Sequence, residues 1–246
     1  MREQNIYDDP SFFDGYQKLR QNPSAANDLV EKPALFSLLP DVAGKAVVDL
    51  GCGYGENCRE FSRRGAAHVV GIDISEKMLA VAAGENQLAN VRFLRMSMND
   101  LTPLEGPFDL VVSSLAVHYI EDFDTLLRQI HRLLTPGGTF VFSQEHPFTT
   151  ALMREPRWTR DGEGRILHYN LTDYSRPGER TTNWIVEGVV KYHRPFSAIF
   201  SSLARVGFML EQVLEPVPDE AVMDAWPAYR KNIHKPDFLL VRAARI

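Results

Sequence analysis

The chain is short of several things whose presence would set its chemistry. It has two cysteines, Cys52 and Cys58, in 246 residues. They form no C-x-x-C pair and no second pair exists, so neither a zinc site nor a disulfide framework is encoded. No two histidines stand four apart and no carboxylate cluster accompanies them, so no metal is expected. No run approaches the roughly 20 apolar residues of a membrane-spanning helix. The opening residues, Met-Arg-Glu-Gln-Asn, are polar and lack a signal-peptide apolar core. With cysteine so scarce, the expected setting is cytoplasmic. Basic charge is short too: 27 Lys and Arg stand against 32 Asp and Glu, a formal net charge of −5. A general nucleic-acid binder carries the opposite balance. Internal repeats and low-complexity tracts are absent.

What the chain has is one glycine-rich turn in a telling place. Residues Val47 to Gly55 read Val-Val-Asp-Leu-Gly-Cys-Gly-Tyr-Gly. A β-branched run stops at Asp49, glycines alternate at 51, 53 and 55, and Glu56 to Arg64 is helix-like with Phe61 as its anchor. This predicts a strand, a tight turn and a helix, the first unit of a nucleotide-binding α/β sheet. Glycine permits positive φ and close approach of a ligand to the backbone. A second strand, His68 to Ile72, ends at Asp73. That acid lies about 20 residues past the glycines, where it can accept from both hydroxyls of a ribose. Ser75 is placed to cap the next helix.

Two ligand classes fit an acid there. A dinucleotide site needs glycine at the sixth position of G-x-G-x-x-G, and this chain has Glu56, whose carboxylate would repel a pyrophosphate. The pattern D-x-G-x-G-x-G, starting at Asp49, instead resembles the first motif of class I S-adenosylmethionine-dependent methyltransferases. The resemblance implies that Asp49, Gly51, Gly53 and Tyr54 line the cofactor, that Asp73 takes the ribose and that Ile74 packs on the adenine. Cys52, Met78 and Ser114 belong to the same implied lining, with Cys52 read as a small residue of the turn. S-adenosylmethionine would be the cofactor and S-adenosylhomocysteine the product.

The rest of the chain extends the resemblance. Val91 to Arg95 is a third strand. The family's adenine-contacting acid would fall at Ser97, a departure that a hydroxyl and the Met98 backbone can cover, with Asn99 close by. Phe108 to Leu115 is a nearly continuous apolar run, as a central strand covered on both faces requires. It resembles the family's fourth motif. The base-methylating relatives carry Asn or Asp followed by two prolines and an aromatic here. Ser113-Ser114-Leu115-Ala116 does not. Phe123, Leu126, Leu127, Ile130, Leu133 and Leu134 keep helical spacing, with Asp122 as a cap. Thr139 to Ser143 is the fifth strand. Ser197 to Val206 reads as a helix, Phe208 to Leu214 as the sixth strand, Asp219 to Tyr229 as a helix and Phe238 to Arg242 as a last strand.

Three domains follow from this reading: an N-terminal helical cap over residues 1–40, a methyltransferase core over 41–146 and 196–246, and a substrate-lid insertion over 147–195. The fold class expected is α/β, a Rossmann-like seven-stranded mostly parallel sheet with an antiparallel last strand, helices on both faces and a β-rich lid. Within the lid, strands are expected at Ile166 to Tyr174 and Asn183 to Tyr192, with a turn at Arg176-Pro177-Gly178. Its aromatics suit an apolar or planar substrate, the core of the lid itself or the contact of a homodimer. Tyr16 and Arg20, one helical turn apart, are candidates for the methionine carboxylate or the substrate. His118, His146 and His193 are the candidate bases for an acceptor that must lose a proton. The basic run around His193 would suit an acidic acceptor. The function expected is methyl transfer to oxygen or nitrogen of a small molecule. Methylation of a protein or RNA and a non-enzymatic cofactor-binding module are the alternatives.

Overall fold

The computed structural model describes residues 4–246. Its helices are α1 (Pro10–Arg20), α2 (Lys32–Leu38), α3 (Glu56–Arg63), α4 (Glu76–Glu85), α5 (Phe123–Leu133), α6 (Pro147–Ala151), α7 (Phe196–Val206) and α8 (Glu220–Ala225). Its strands begin with β1 (Ala46–Leu50), β2 (His68–Asp73), β3 (Val91–Arg95), β4 (Phe108–Ser113) and β5 (Leu134–Glu145). Two hairpins follow, β6 (Trp158–Arg160) with β7 (Ile166–Tyr169), and β8 (Gly178–Trp184) with β9 (Val186–His193). β10 (Phe208–Leu214) and β11 (Phe238–Arg245) complete a seven-stranded sheet of order β10-β11-β5-β4-β1-β2-β3. β1 to β5 run parallel, and β11 is antiparallel to both its neighbours. The expected architecture is the observed one, with the last strand inserted between the fifth and the sixth.

Strand alternation sorts the core into two layers. Val48, Val111, Phe140 and Phe142 pack on one face with Leu126, Ile130 and Leu203 of α5 and α7. Val47, Leu110, Val112 and Val141 pack on the other with Leu35, Leu38 and Phe61 of α2 and α3. Burial on both faces explains why these strands read as unbroken apolar runs. The helices start where capping chemistry permits. Ser75 accepts from Met78 N–H (3.1 Å) and Asp122 from Thr125 N–H (2.9 Å). Parallel register brings the carboxyl ends of β1, β2, β4 and β5 to one edge, where open α/β sheets bind ligands.

The insertion departs from expectation. Two separate hairpins stand where one broad pair of strands was expected, and the segment expected as a single strand from Asn183 is folded back at Ile185. Ile185 takes φ +62°, a conformation that glycine or asparagine normally marks. Here the strain is held by packing. Ile185 Cγ2 occupies the place a Cβ on Gly15 of α1 would take, 2.4 Å from it. The hairpin tip thus rests on a gap in α1, and a tertiary contact sets a turn that local sequence does not announce.

Candidate cofactor and acceptor site

The glycine turn is anchored from below. Gly51 N–H and Cys52 N–H both donate to Ile72 O at 2.9 Å. Gly53 N–H donates to one Asp73 oxygen and Ser75 N–H to the other, each at 2.9 Å. A carboxylate offers about four lone-pair sites, so two remain for a vicinal diol. Burial pushes the Asp73 carboxyl up against the opposing pull of those N–H groups. Asp8 adds a contact that the sequence reading missed. It accepts from Ser75 Oγ (2.6 Å) and from Lys77 N–H (3.1 Å), and so ties the N-terminal segment to the start of α4.

These groups open on a cavity of about 950 Å³. Gly51, Cys52, Gly53, Tyr54 and Asp73 line it, as do Ile74, Met78 and Met98. Asn99 and Ser114 lie on its wall, and Tyr16 and Arg20 reach it from α1. Ser97 does not line it; its hydroxyl accepts from Asn99 N–H at 2.9 Å in a local turn. Asp49 lies behind the turn, fully buried, with Oδ2 near Cys58 Sγ (3.6 Å) and Oδ1 unpartnered. The cradle fits a nucleoside with an amino-acid tail. A Cβ at Gly51 would stand 2.6 Å from Ala116 Cβ and one at Gly55 2.6 Å from the Phe93 ring, whereas Gly53 faces open space. The buried Tyr54 hydroxyl has no partner.

Electrostatics correct one argument made from the sequence. Glu56 does not project a bare charge toward the turn. Arg20 and Lys32 both pair with it, and both also reach Asp28. These pairs hold the Glu56 carboxyl below its usual range against burial. Repulsion of a pyrophosphate by Glu56 is therefore weaker than expected, and Arg20 reaches the cavity already engaged. Glu31 was also missed. It is buried, with Oε1 accepting from Ser114 Oγ (2.9 Å) and from Ser143 Oγ, and Oε2 unpartnered.

Asp49 yields a pH prediction. Burial, with smaller repulsion from Asp73 and Glu31 and against the Cys58 thiol, raises its carboxyl to about 7. The unfolded value is about 3.9. Between those values the folded state holds the extra proton, so stability present below pH 4 is lost as pH rises toward 7. Asp49→Asn cannot ionise. Its Tm relative to wild type is expected to rise across that window, and a pH-independent difference would exclude the effect.

The three candidate histidines separate. His118, on a single 3-10 turn after β4, lines the cavity. Burial, aided by Lys191 and Arg194 and opposed by Glu145, lowers it to about 3, so it is neutral and weakly basic near pH 7. Its Nδ1 lies 3.5 Å from Glu145 N–H, which assigns the ring proton to Nε2. His146 caps α6 by accepting from Phe148 N–H (3.1 Å), and its Nε2 meets Glu215 at 2.7 Å. His193 holds Thr150 Oγ1 (2.9 Å) and Tyr174 O (2.8 Å). Neither lines the cavity, and both have two engaged nitrogens. Glu145, next to His146, does line it and binds Lys191 Nζ at 2.5 Å. The basic run near His193 also turns away. Arg194 donates to the carbonyls of Ile120 and Glu121 and lies over the Phe123 ring.

The geometry agrees with comparison to known proteins. A family model described as a methyltransferase domain matches residues 47–138. A crystal structure of an S-adenosylmethionine-dependent methyltransferase from Mesorhizobium loti is 43% identical, with TM-score 0.81 over 87% of this chain and 97% of that one. An uncharacterized protein of Haemophilus influenzae is 39% identical over 98% of this chain and 97% of its own length. A trans-aconitate 2-methyltransferase of Deinococcus radiodurans is 40% identical, but over only 44% of this chain and 40% of its own. The chain belongs to the S-adenosylmethionine-dependent methyltransferases. It is an enzyme of that class, with S-adenosylmethionine as cofactor. No helix among the described residues is long and apolar enough to cross a membrane.

Proposed function

We propose that the chain methylates a small molecule bound beneath residues 147–195, which act as a lid, with residues 1–40 as a cap. The observation that carries this is a roof built from the N-terminal segment and the insertion together. Trp184 and Tyr192 of the second hairpin line the same cavity as Tyr7 and Tyr16. The Trp184 ring stands 5.4 Å from Phe12 and 6.2 Å from Tyr16. Gln4 fastens the N-terminal segment to β9, donating to Gly188 O (3.0 Å) and accepting from Val190 N–H (2.9 Å). A compact acceptor fits under such a roof better than a polymer does.

Bound S-adenosylmethionine supplies an electrophilic methyl group. The chain's part is orientation. Asp73 and the glycine turn fix the nucleoside end, and the roof excludes water and holds the acceptor in line at roughly 3 Å, the main source of acceleration in such a displacement. His118 does not serve as a strong base; its Nε2–H acts as a hydrogen-bond donor.

The test is transfer of labelled methyl into a cell extract divided by ultrafiltration. Label in the small-molecule filtrate is expected. Label confined to protein or RNA would overturn the reading. Trp184→Ala is expected to raise the acceptor KM about tenfold, the loss of one aromatic contact surface. S-adenosylhomocysteine affinity in calorimetry should move far less. A larger loss for the cofactor would remove Trp184 from the acceptor side.

A further inference from the structure

We propose that the acceptor is an amine, received in its ammonium form by the aromatic and carboxylate wall on the lid side of the cavity. This rests on the methyl-transfer reading and names the substrate class for the same site.

Two independent features meet on that wall. The first is aromatic. Tyr7, Tyr119 and Trp184 line the cavity, with the Tyr7 and Tyr119 rings perpendicular at 6.2 Å. Such faces attract cations through the ring quadrupole. The second is charge. Glu121, Glu145 and Glu179 line the same cavity. Tyr192 joins the two outer acids. Its hydroxyl lies 3.5 Å from Glu121 Oε2, and burial together with Glu121 and Glu179 pushes the phenol up. Asp122 and Asp237 are also on the lining, the first capping α5 and the second paired with Lys235. Against these, Arg20 and Lys32 are tied to Asp28 and Glu56. Lys231 is the only lining lysine or arginine outside an ion pair among the described residues. With Glu145 held by Lys191 and Asp237 by Lys235, it is Glu121 and Glu179 that make the wall negative toward an incoming ligand.

The chain already shows that this chemistry holds an ammonium. Lys191 Nζ sits 5.0 Å from the Trp184 ring centroid and 2.5 Å from Glu145 Oε1. For an anionic acceptor the lining offers Lys231 alone outside an ion pair among the described residues, since Arg194 is occupied by backbone carbonyls.

The reaction balances without a strong base. A primary or secondary ammonium first gives its proton to water at the rim beside Glu121. The freed nitrogen lone pair forms the N–C bond, the C–S bond breaks, and its electron pair stays on sulfur. The positive charge that leaves sulfur reappears on the methylated nitrogen, where rings and carboxylates face it. A neutral His118 suits this arrangement, because it places no competing cation there.

The experiment is calorimetric titration of the protein, first with S-adenosylhomocysteine and then, once saturated, with three probes of one shape. These are 2-phenylethylammonium, 2-phenylethanol and 3-phenylpropanoate. The ammonium is expected to bind about tenfold tighter than the alcohol, and the carboxylate weakest. Glu121 and Glu179 are exposed, so the double variant Glu121→Gln, Glu179→Gln should keep its fold. It is expected to cut the ammonium's advantage about threefold or more and leave the alcohol unchanged. Equal affinities, a preference for the carboxylate, no detectable ammonium binding by protein that takes up S-adenosylhomocysteine, or an unaltered advantage in the double variant would each overturn the proposal. Failure to take up S-adenosylhomocysteine would instead strike the methyl-transfer reading, and this inference with it.

Discussion

Asp73→Ala is expected to weaken S-adenosylhomocysteine binding about a hundredfold in titration calorimetry, with only a small change in Tm. The magnitude follows from charge-assisted hydrogen bonds of about 1.5–3 kcal/mol each, two of which a ribose diol would donate, less the water that refills the site. About 2.7 kcal/mol corresponds to a hundredfold. The small Tm change has a separate reason. The substitution frees Gly53 N–H and Ser75 N–H from their carboxylate partner, which destabilises. It also removes a buried charge whose carboxyl is already pushed up, which stabilises. A cofactor analogue without the ribose hydroxyls separates direct contact from loosening of the turn. Such an analogue should bind wild type and variant with nearly equal affinity. If it loses as much as the parent compound, Asp73 acts through the turn and does not bind the ribose.

The sheet was legible because its signals are local and repeated. Val47, Val48 and Leu50, or Leu110 to Val112, are apolar on both faces, and that pattern needs no knowledge of distant residues. Much of the turn and Asp73 was legible for the same reason, since spacing along the chain sets where they fall at the sheet edge. What escaped was made by distance. Glu31 stands between Val30 and Lys32, and a charged residue there is ordinarily expected on the solvated face of a helix. Its burial comes from Ser114 and Ser143, 83 and 112 residues away. Glu56 looked like an unbalanced charge until Arg20 and Lys32, 36 and 24 residues before it, closed on it. Ile185 makes a turn without turn chemistry because Gly15 leaves it room. His146 illustrates a finer limit. The sequence brought attention to the right strand end, but the last residue of β5, Glu145, faces the cavity, while His146, the cap of α6, is turned into the core. A one-residue difference in position decides which side chain can meet a ligand.

The glycines of the turn allow the strongest separation of causes. Gly51 and Gly53 both have positive φ, +73° and +53°, as does Gly44 at +70° on a turn outside the cavity. A left-handed conformation costs a side-chain-bearing residue about 1–2 kcal/mol. Gly44 and Gly53 have nothing within 4 Å of an added Cβ, so Ala there should cost stability only that much. Gly51 differs, because its Cβ would lie 2.6 Å from Ala116 Cβ. Relieving that overlap must move the loop after β4, and overpacking of this kind adds about 1–3 kcal/mol. Gly51→Ala is therefore expected to lower Tm by roughly 5–15 °C and to bind S-adenosylhomocysteine at least a hundredfold more weakly, since two walls of the cavity shift together. Gly53→Ala should lose affinity out of proportion to stability, because its methyl group enters space the ligand needs. Gly44→Ala should lose a little stability and no affinity. Thermal melts and calorimetry on the three variants check the pattern. Three equal losses of stability would mean that backbone strain alone sets the cost. Unchanged affinity in Gly51→Ala and Gly53→Ala would remove the turn from the cofactor site.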